Sequence, residues 1–230
     1  MVLRDFRTEE DMSVSWPGVP TARNDVSVST QNESRRANLG GALSGISANT
    51  LVETARGTVP ARALQAGDQV RTLKGRFAPV LWLGHSAMPK TQKSSPIRFP
   101  ELTDGQSGAL LTPGSLVLVD HPLCEILTGE AQVVCSANML AEVGQAEIDA
   151  TVSPMMVHIL LDKTEMIRCG DYWVESLIPE IDLIRRDAPG AAEEILDACP
   201  RLRSHQGIAS YLRDHLVIDQ REASVIFSAS

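Results

Sequence analysis

Residues 50–84 read TLVETARGTVPARALQAGDQVRTLKGRFAPVLWLG. Four short apolar pieces, Leu51-Val52, Val59, Val70-Arg71-Thr72 and Val80-Leu81-Trp82, are separated by the turn formers Arg56-Gly57, Gly67-Asp68 and Lys74-Gly75. Glycine-containing pairs between runs that alternate apolar and polar residues are hairpin and tight-turn signals. Pro60-Ala61-Arg62-Ala63-Leu64 is the candidate for a helical turn, and Pro60 suits its first position, where no amide hydrogen is required. The stretch predicts strand, turn, helical turn, Gly-Asp turn, strand, turn, strand. That is a compact β unit over which the rest of the chain must close.

Downstream the same texture continues. Residues 89–100 (PKTQKSSPIRFP) and 104–108 (DGQSG) read as connections. Residues 115–120 (SLVLVD) are apolar enough for a buried strand, entered through Thr112-Pro113-Gly114. Residues 121–127 continue as a strand that Pro122 forces to start at an edge or bend. Thr128-Gly129-Glu130 then reads as a hairpin tip, with 131–135 as the returning strand. Another apolar strand falls at 155–161, and 165–169 with 172–178 makes a hairpin around Gly170-Asp171. The middle is thus predicted as all-β. The tail turns helical: 191–199 follows Pro189-Gly190, turns Ile195 and Leu196 inward and stops at Pro200. Residues 206–218 carry Ile208, Tyr211, Leu212 and His215 at helical spacing, and Asp219 with Glu222 forms a capping box for a last helix. Val225-Ile226-Phe227 is expected to pack on the β body.

Upstream, residues 1–44 are largely polar and without period, apart from Trp16-Pro17-Gly18-Val19-Pro20. Such a segment buries too little apolar surface to offset its ordering entropy, so a loosely packed arm is expected, hinged through 39–45. Three parts follow: 1–44, a β domain at 45–180, and a helical extension at 181–230.

Composition excludes some function classes. The 230 residues carry a net charge of −8, against a nucleic-acid binder, which needs a basic face. The hydrophobic fraction of 43% with only 4% aromatics implies a core of Val, Leu, Ile and Ala. The opening ten residues hold no apolar run and no stretch is long enough to span a bilayer, so a cytoplasmic protein is expected, leaderless export aside. Cys124, Cys135, Cys169 and Cys199 are far apart and read as small buried fillers rather than ligands. No His, Cys, Asp and Glu cluster has metal spacing, and no glycine-rich phosphate loop is present, so no cofactor is expected. A protein partner is the remaining class.

The order Thr50-Leu-Val…Gly57-Thr-Val-Pro…Leu64-x-x-Gly67-Asp68-x-Val70-x-Thr72…Pro79-Val80-x-Trp82-x-Gly84 resembles the opening of the Hint (hedgehog/intein) family, most closely its bacterial subfamily. MVHILLDKTEMIRCGDYWVESLIP, residues 156–179, is similar to that subfamily's closing block. The resemblance spans about 45–230 and implies a mostly β fold, a Hint-like horseshoe of many short strands with a small helical tail. It also implies self-processing chemistry. In active members the first Cys or Ser attacks the carbonyl of the residue before it, and the amide becomes a thioester or ester. That demands an activated nucleophile, donors that hold the scissile carbonyl, and an acid for the leaving amine.

Mapped onto this chain, the motif is broken. The family opens with Cys-x-x-x-Gly-Thr; its Thr falls on Thr50, its Gly on Asn49 and its nucleophilic Cys on Gly45, which has no side chain. Ser44 and Ser47 flank that slot. The family's Thr-x-x-His admits two registers here. Thr112-Pro113-Gly114-Ser115 keeps the hydroxyl and puts Ser115 where the His belongs; Leu118-Val119-Asp120-His121 keeps His121 and loses the hydroxyl. His121 would polarise the amide or simply end a strand. The Asp-x-His-Glu near the close reads Asp162-Lys163-Thr164-Glu165, without its His. His158 matches a His on the preceding strand and reads as an acid or as a satisfied core residue. Ser176 aligns with the closing block but is ordinary on an alternating strand, and His85 is expected in a loop at the exit of a strand. The preferred expectation is a degenerate, non-cleaving binding or interaction module. The alternative is an autoproteolytic domain with Ser44 or Ser47 as nucleophile and His121 as its partner.

Overall fold

The computed structural model describes residues 43–88, 94–102, 108–211 and 215–228. The arm and hinge expected before Leu43 lie outside them, as do parts of both connecting loops. The opening stretch forms a β unit around the expected helical turn, with β1 and β5 as added strands: β1 (Ile46–Ser47), β2 (Leu51–Thr54), β3 (Gly57–Pro60), a 3-10 turn at Ala61–Ala63, β4 (Gln69–Arg71), β5 (Phe77–Pro79) and β6 (Trp82–Ala87). Thr54 pairs with Gly57, and Gly57 holds φ 109°, a value only glycine takes without strain. Val80-Leu81 is not part of a strand, contrary to expectation. The Val80 amide donates to Asp68 O and the Leu81 amide to Leu160 O, each 2.8 Å, so these two residues carry the chain from one sheet to the other.

The strands β7 (Ile97–Phe99), β8 (Ala109–Leu111), β9 (Leu116–Asp120), β10 (Gln132–Ser136), β11 (Glu147–Ile148), β12 (Met155–Leu160), β13 (Met166–Cys169) and β14 (Tyr172–Glu175) complete two sheets. One has the order β11-β7-β8-β1-β12-β6. The other has the order β10-β9-β14-β13-β2-β4-β5, with β3 beside β2. The protein is mostly β, in two antiparallel sheets, as expected. His85 is a β6 residue facing Val157, not a loop residue.

The middle is not all-β. Residues 122–128 form helix α1 (Pro122–Thr128) instead of a strand, and α2 (Ala137–Glu142) follows β10. Pro122 occupies the first turn, where its missing N–H costs nothing, and His121 Nδ1 accepts from the Leu123 amide as the cap. Gly129 ends the helix at φ 79°, so it is a left-handed cap and not a hairpin tip. β10 still pairs with β9 from Gln132↔Asp120 to Ser136↔Leu116.

The tail holds α3 (Ile181–Asp187), α4 (Pro189–Ala198), a 3-10 turn at Pro200–Arg203, α5 (His205–Ala209) and α6 (Gln220–Ser228). The helix expected over 206–218 stops at Ala209, and Leu212 lies outside the described residues. Beyond it the open edge of β10 wins the backbone: the Val134 amide donates to Leu216 O and the Ile218 amide to Val134 O. Tyr211 instead buries its ring and donates its hydroxyl to Leu161 O at 2.6 Å. The capping box of α6 is present: Asp219 Oδ1 accepts from the Arg221 and Glu222 amides, and Glu222 Oε2 accepts from the Asp219 amide. Ile226 is buried, whereas Val225 is exposed.

One core cluster fills the β body and takes in Ile218, Ala223 and Ile226. A second joins Leu43, Leu160 and Leu177 to Ile181, Ile184, Ile195, Leu196, Leu202 and Tyr211. All four cysteines are free and buried.

Candidate functional site

β1 is only two residues long, yet it lies between β8 and β12 in the first sheet. Ile46 pairs with Leu111 on one side and Val157 on the other. The residues just before it are thereby threaded between the two strands. The turn leaving β8 is Thr112-Pro113-Gly114-Ser115, closed by the Ser115 amide donating to Thr112 O at 3.0 Å. Proline suits the second position of such a turn. The turn brings the two terminal hydroxyls within 2.9 Å of each other, both fully buried.

These hydroxyls and one imidazole enclose the peptide bond between Ser44 and Gly45. The Gly45 amide donates to Thr112 Oγ1 and Ser115 Oγ, each at 3.1 Å. Thr112 Oγ1 donates to Leu43 O at 2.7 Å, and Ser115 Oγ donates to Gly45 O at 3.0 Å. His158 Nδ1 stands 2.8 Å from Ser44 O, and its Nε2 stands 2.8 Å from Ser86 Oγ. Ser44 Oγ donates to Glu175 O at 2.8 Å. Leu43 is 5% exposed, anchored in the cluster of the C-terminal helices.

Proton bookkeeping follows from donor counts. A hydroxyl carries one hydrogen. That of Thr112 is turned to Leu43 O, and that of Ser115 faces Gly45 O and Thr112 Oγ1. Both oxygens therefore meet the Gly45 nitrogen as acceptors, and neither presents it with an acid. Ser44 O accepts only, so the 2.8 Å contact requires the hydrogen on His158 Nδ1. Burial holds the imidazole below the ordinary histidine range, and His85 nearby adds to the effect. His158 is thus a neutral donor onto a carbonyl.

The space beside Gly45, the position that the resemblance aligns with a nucleophile, is filled. A Cβ built on Gly45 would lie 2.9 Å from His158 Nδ1 and Cε1, and 3.2 Å from Thr112 Cγ2. Real side-chain carbons do not approach that closely.

Of the residues singled out in the sequence, Ser44, Gly45, Thr112, Ser115 and His158 are brought together, and the register through Thr112 is the one that meets the junction. His121 stands apart as the cap of α1, its ring 6.2 Å from that of Phe227. Ser47 is buried in β1, where its Oγ accepts from the Asn49 amide at 3.4 Å. Thr50 accepts from the Leu110 amide at 3.3 Å and fastens the turn after β1 to β8. Ser176 accepts from the Glu165 amide at 3.1 Å, and Glu165 is paired with Arg76 and Lys163. No cysteine takes part in these contacts. Burial pushes the Cys135 and Cys169 thiols up to about 12, which leaves them inert at neutral pH. Sequence reasoning missed Ser86, because the motif was closed at Gly84. The alternation of β6 carries the signal: Ser86 shares a face with Trp82 and Gly84, and Gly84 is the register partner of His158.

Among the described residues no group of three or more His, Cys, Asp or Glu side chains could hold a metal, and no helix is long and apolar enough to cross a membrane. In comparison with known families, residues 45–180 match the model described as the Hint domain. No curated protein matches the chain.

Proposed function

The chain belongs to the Hint domain family, a family of self-processing type, and from that premise we propose that this member grips the Ser44–Gly45 bond without cutting it and serves as a binding or interaction module. The observation that carries the reading is the 2.9 Å approach of a Gly45 Cβ to the His158 ring. An acyl shift needs a side-chain nucleophile on the residue after the bond, and here an imidazole occupies that space. Two further losses point the same way. Ser115 stands where the family has an imidazole and gives the Gly45 nitrogen no proton, and both junction hydroxyl hydrogens are turned to other oxygens. Where acid and nucleophile act as a unit, losing both removes most of the rate enhancement.

The alternative, cleavage by Ser44 or Ser47 with His121, rests on less. In its favour Thr112 Oγ1 donates to Leu43 O, the carbonyl Ser44 would attack. Against it, the Ser44 hydroxyl is turned to Glu175 O, Ser47 is packed in β1, and His121 caps α1.

Intact mass of the purified full chain, incubated with and without dithiothreitol, decides between them. A single 24.9 kDa species under both conditions is expected. A fragment beginning at Ser44, Gly45 or Ser47 overturns the non-cleaving reading.

A further inference from the structure

We infer that Ser86 is the positioning residue of the grip: its hydroxyl holds the ring plane in which His158, its tautomer set by the Ser44 carbonyl, donates to that oxygen. This rests on the reading of the junction as held. It concerns how the hold is made, so it stands or falls on a different measurement.

The two strands dictate the encounter. β6 and β12 are antiparallel, with Gly84 opposite His158 and Ser86 opposite Met156. Ser86 is therefore the diagonal neighbour of His158 on one face, within reach of a long side chain. Gly84, directly opposite, has no side chain of its own. The space above it is taken by Trp82, whose Cη2 would lie 2.1 Å from a Cβ at Gly84. Trp82 in turn donates Nε1–H to Glu194 Oε2 of α4 at 2.9 Å. On that face Trp82 covers Gly84, and Ser86 presents its hydroxyl to the imidazole.

Ser86 is 2% exposed and His158 is 4% exposed, so neither has bulk water as a substitute partner. A buried neutral imidazole must place one donor and one acceptor. The donor is spoken for by Ser44 O, which can only accept. Nε2 is left as the acceptor, and among the described residues Ser86 Oγ, at 2.8 Å, supplies its hydrogen bond. Flipping the tautomer would turn two lone pairs toward each other at Ser44 O. Removing the Ser86 hydroxyl would leave a buried ring nitrogen without its hydrogen bond and free the ring to reorient.

The test is ring-nitrogen NMR on the intact chain labelled with 15N-histidine, at pH 7. The native protein is expected to show a neutral His158 with its proton on Nδ1, slow to exchange, and a bare Nε2. In Ser86→Ala the Nε2 resonance moves toward the value of a nitrogen without a hydrogen bond, and the Nδ1 proton exchanges faster as the ring leaves its plane. Ser86→Thr, which returns the hydroxyl, restores both. A proton on Nε2 in the native protein, or an imidazolium, overturns the proposal without any variant having to fold. So do an unmoved Nε2 resonance and an unchanged Nδ1 exchange rate in a folded Ser86→Ala. A purely structural role for Ser86 would lower stability and leave both ring signals where they were. Because the readout is the ring and not the mass, cleavage of the chain and loss of this assignment are separately visible.

Discussion

Gly45 is a contact surface for His158 and Thr112. Adding a methyl group there forces either the imidazole or the threonine to move by several tenths of an ångström. The His158 ring is tied at both nitrogens and Thr112 at its hydroxyl, so little of that movement is free. Gly45→Ala is expected to lower stability by about 1–3 kcal/mol, the usual penalty for overfilling a packed site, visible as a lower urea midpoint at unchanged slope. An unchanged midpoint would mean that the slot is open and that the case against a nucleophile there is lost. The absent side chain at Gly45 was legible in the sequence, as was the broken Thr-x-x-His motif. The choice between Thr112 and His121 was not. The flanking apolar residues match the Thr112 register, but what decides is which turn the inserted strand β1 meets, a contact between residues more than sixty positions apart in the chain. His158 was equally opaque. A lone polar residue in an apolar strand says that it is buried, not that its ring is aimed at the carbonyl of Ser44.

Secondary-structure elements divide by how local their causes are. The capping box of α6 was legible because all its parts lie within four residues, and it forms as written. α6 delivers Ala223 and Ile226 to the main core, so its first turn matters beyond the helix itself. Asp219→Ala strips two amides of their acceptor and is expected to cost about 0.5–2 kcal/mol, read as a drop in the thermal midpoint. Arg221→Ala, on the exposed side of the same turn, serves as the control, and equal shifts in the two variants would dispose of the cap. α1 went the other way. Pro122 is compatible with an edge strand or with a first helical turn, and its apolar neighbours suit either. What decides is the pairing of β9 with β10 from Asp120 to Ser136, which leaves the residues between them to form a connection, and a helix closed by Gly129 spans it. The crossing at Val80-Leu81 is of the same kind. Its apolar residues suit a strand, but their amides answer to two different sheets.

The two core clusters meet around the junction: Leu43 belongs to one, Ile46 to the other, and the held peptide bond runs between them. The grip is therefore coupled to global folding, and its one titratable member should imprint a pH dependence on the stability of the protein. An unfolded histidine takes up its proton near pH 6.5. In the fold, burial first and the neighbouring His85 second hold His158 below that value, while its bond to Ser44 O opposes them. In the interval between the two values the unfolded chain binds more protons than the native one, so stability rises with pH there. This contribution is thus at its fullest above about pH 6.5 and is lost as the pH falls toward the folded value. Urea titrations at closely spaced pH values from about 7.5 down to about 5 should show the midpoint declining with acid. In His158→Gln, which keeps an amide donor for the Ser44 carbonyl but cannot titrate, the decline over the same interval should be shallower. His121, His205 and His215 are common to both proteins and cancel in the comparison, while His85, coupled to His158, belongs to the same effect. Parallel curves for the two proteins would show that His158 is protonated as readily inside the fold as outside it. An imidazolium would then stand beside the carbonyl, and the description of His158 as a neutral clamp would have to be abandoned.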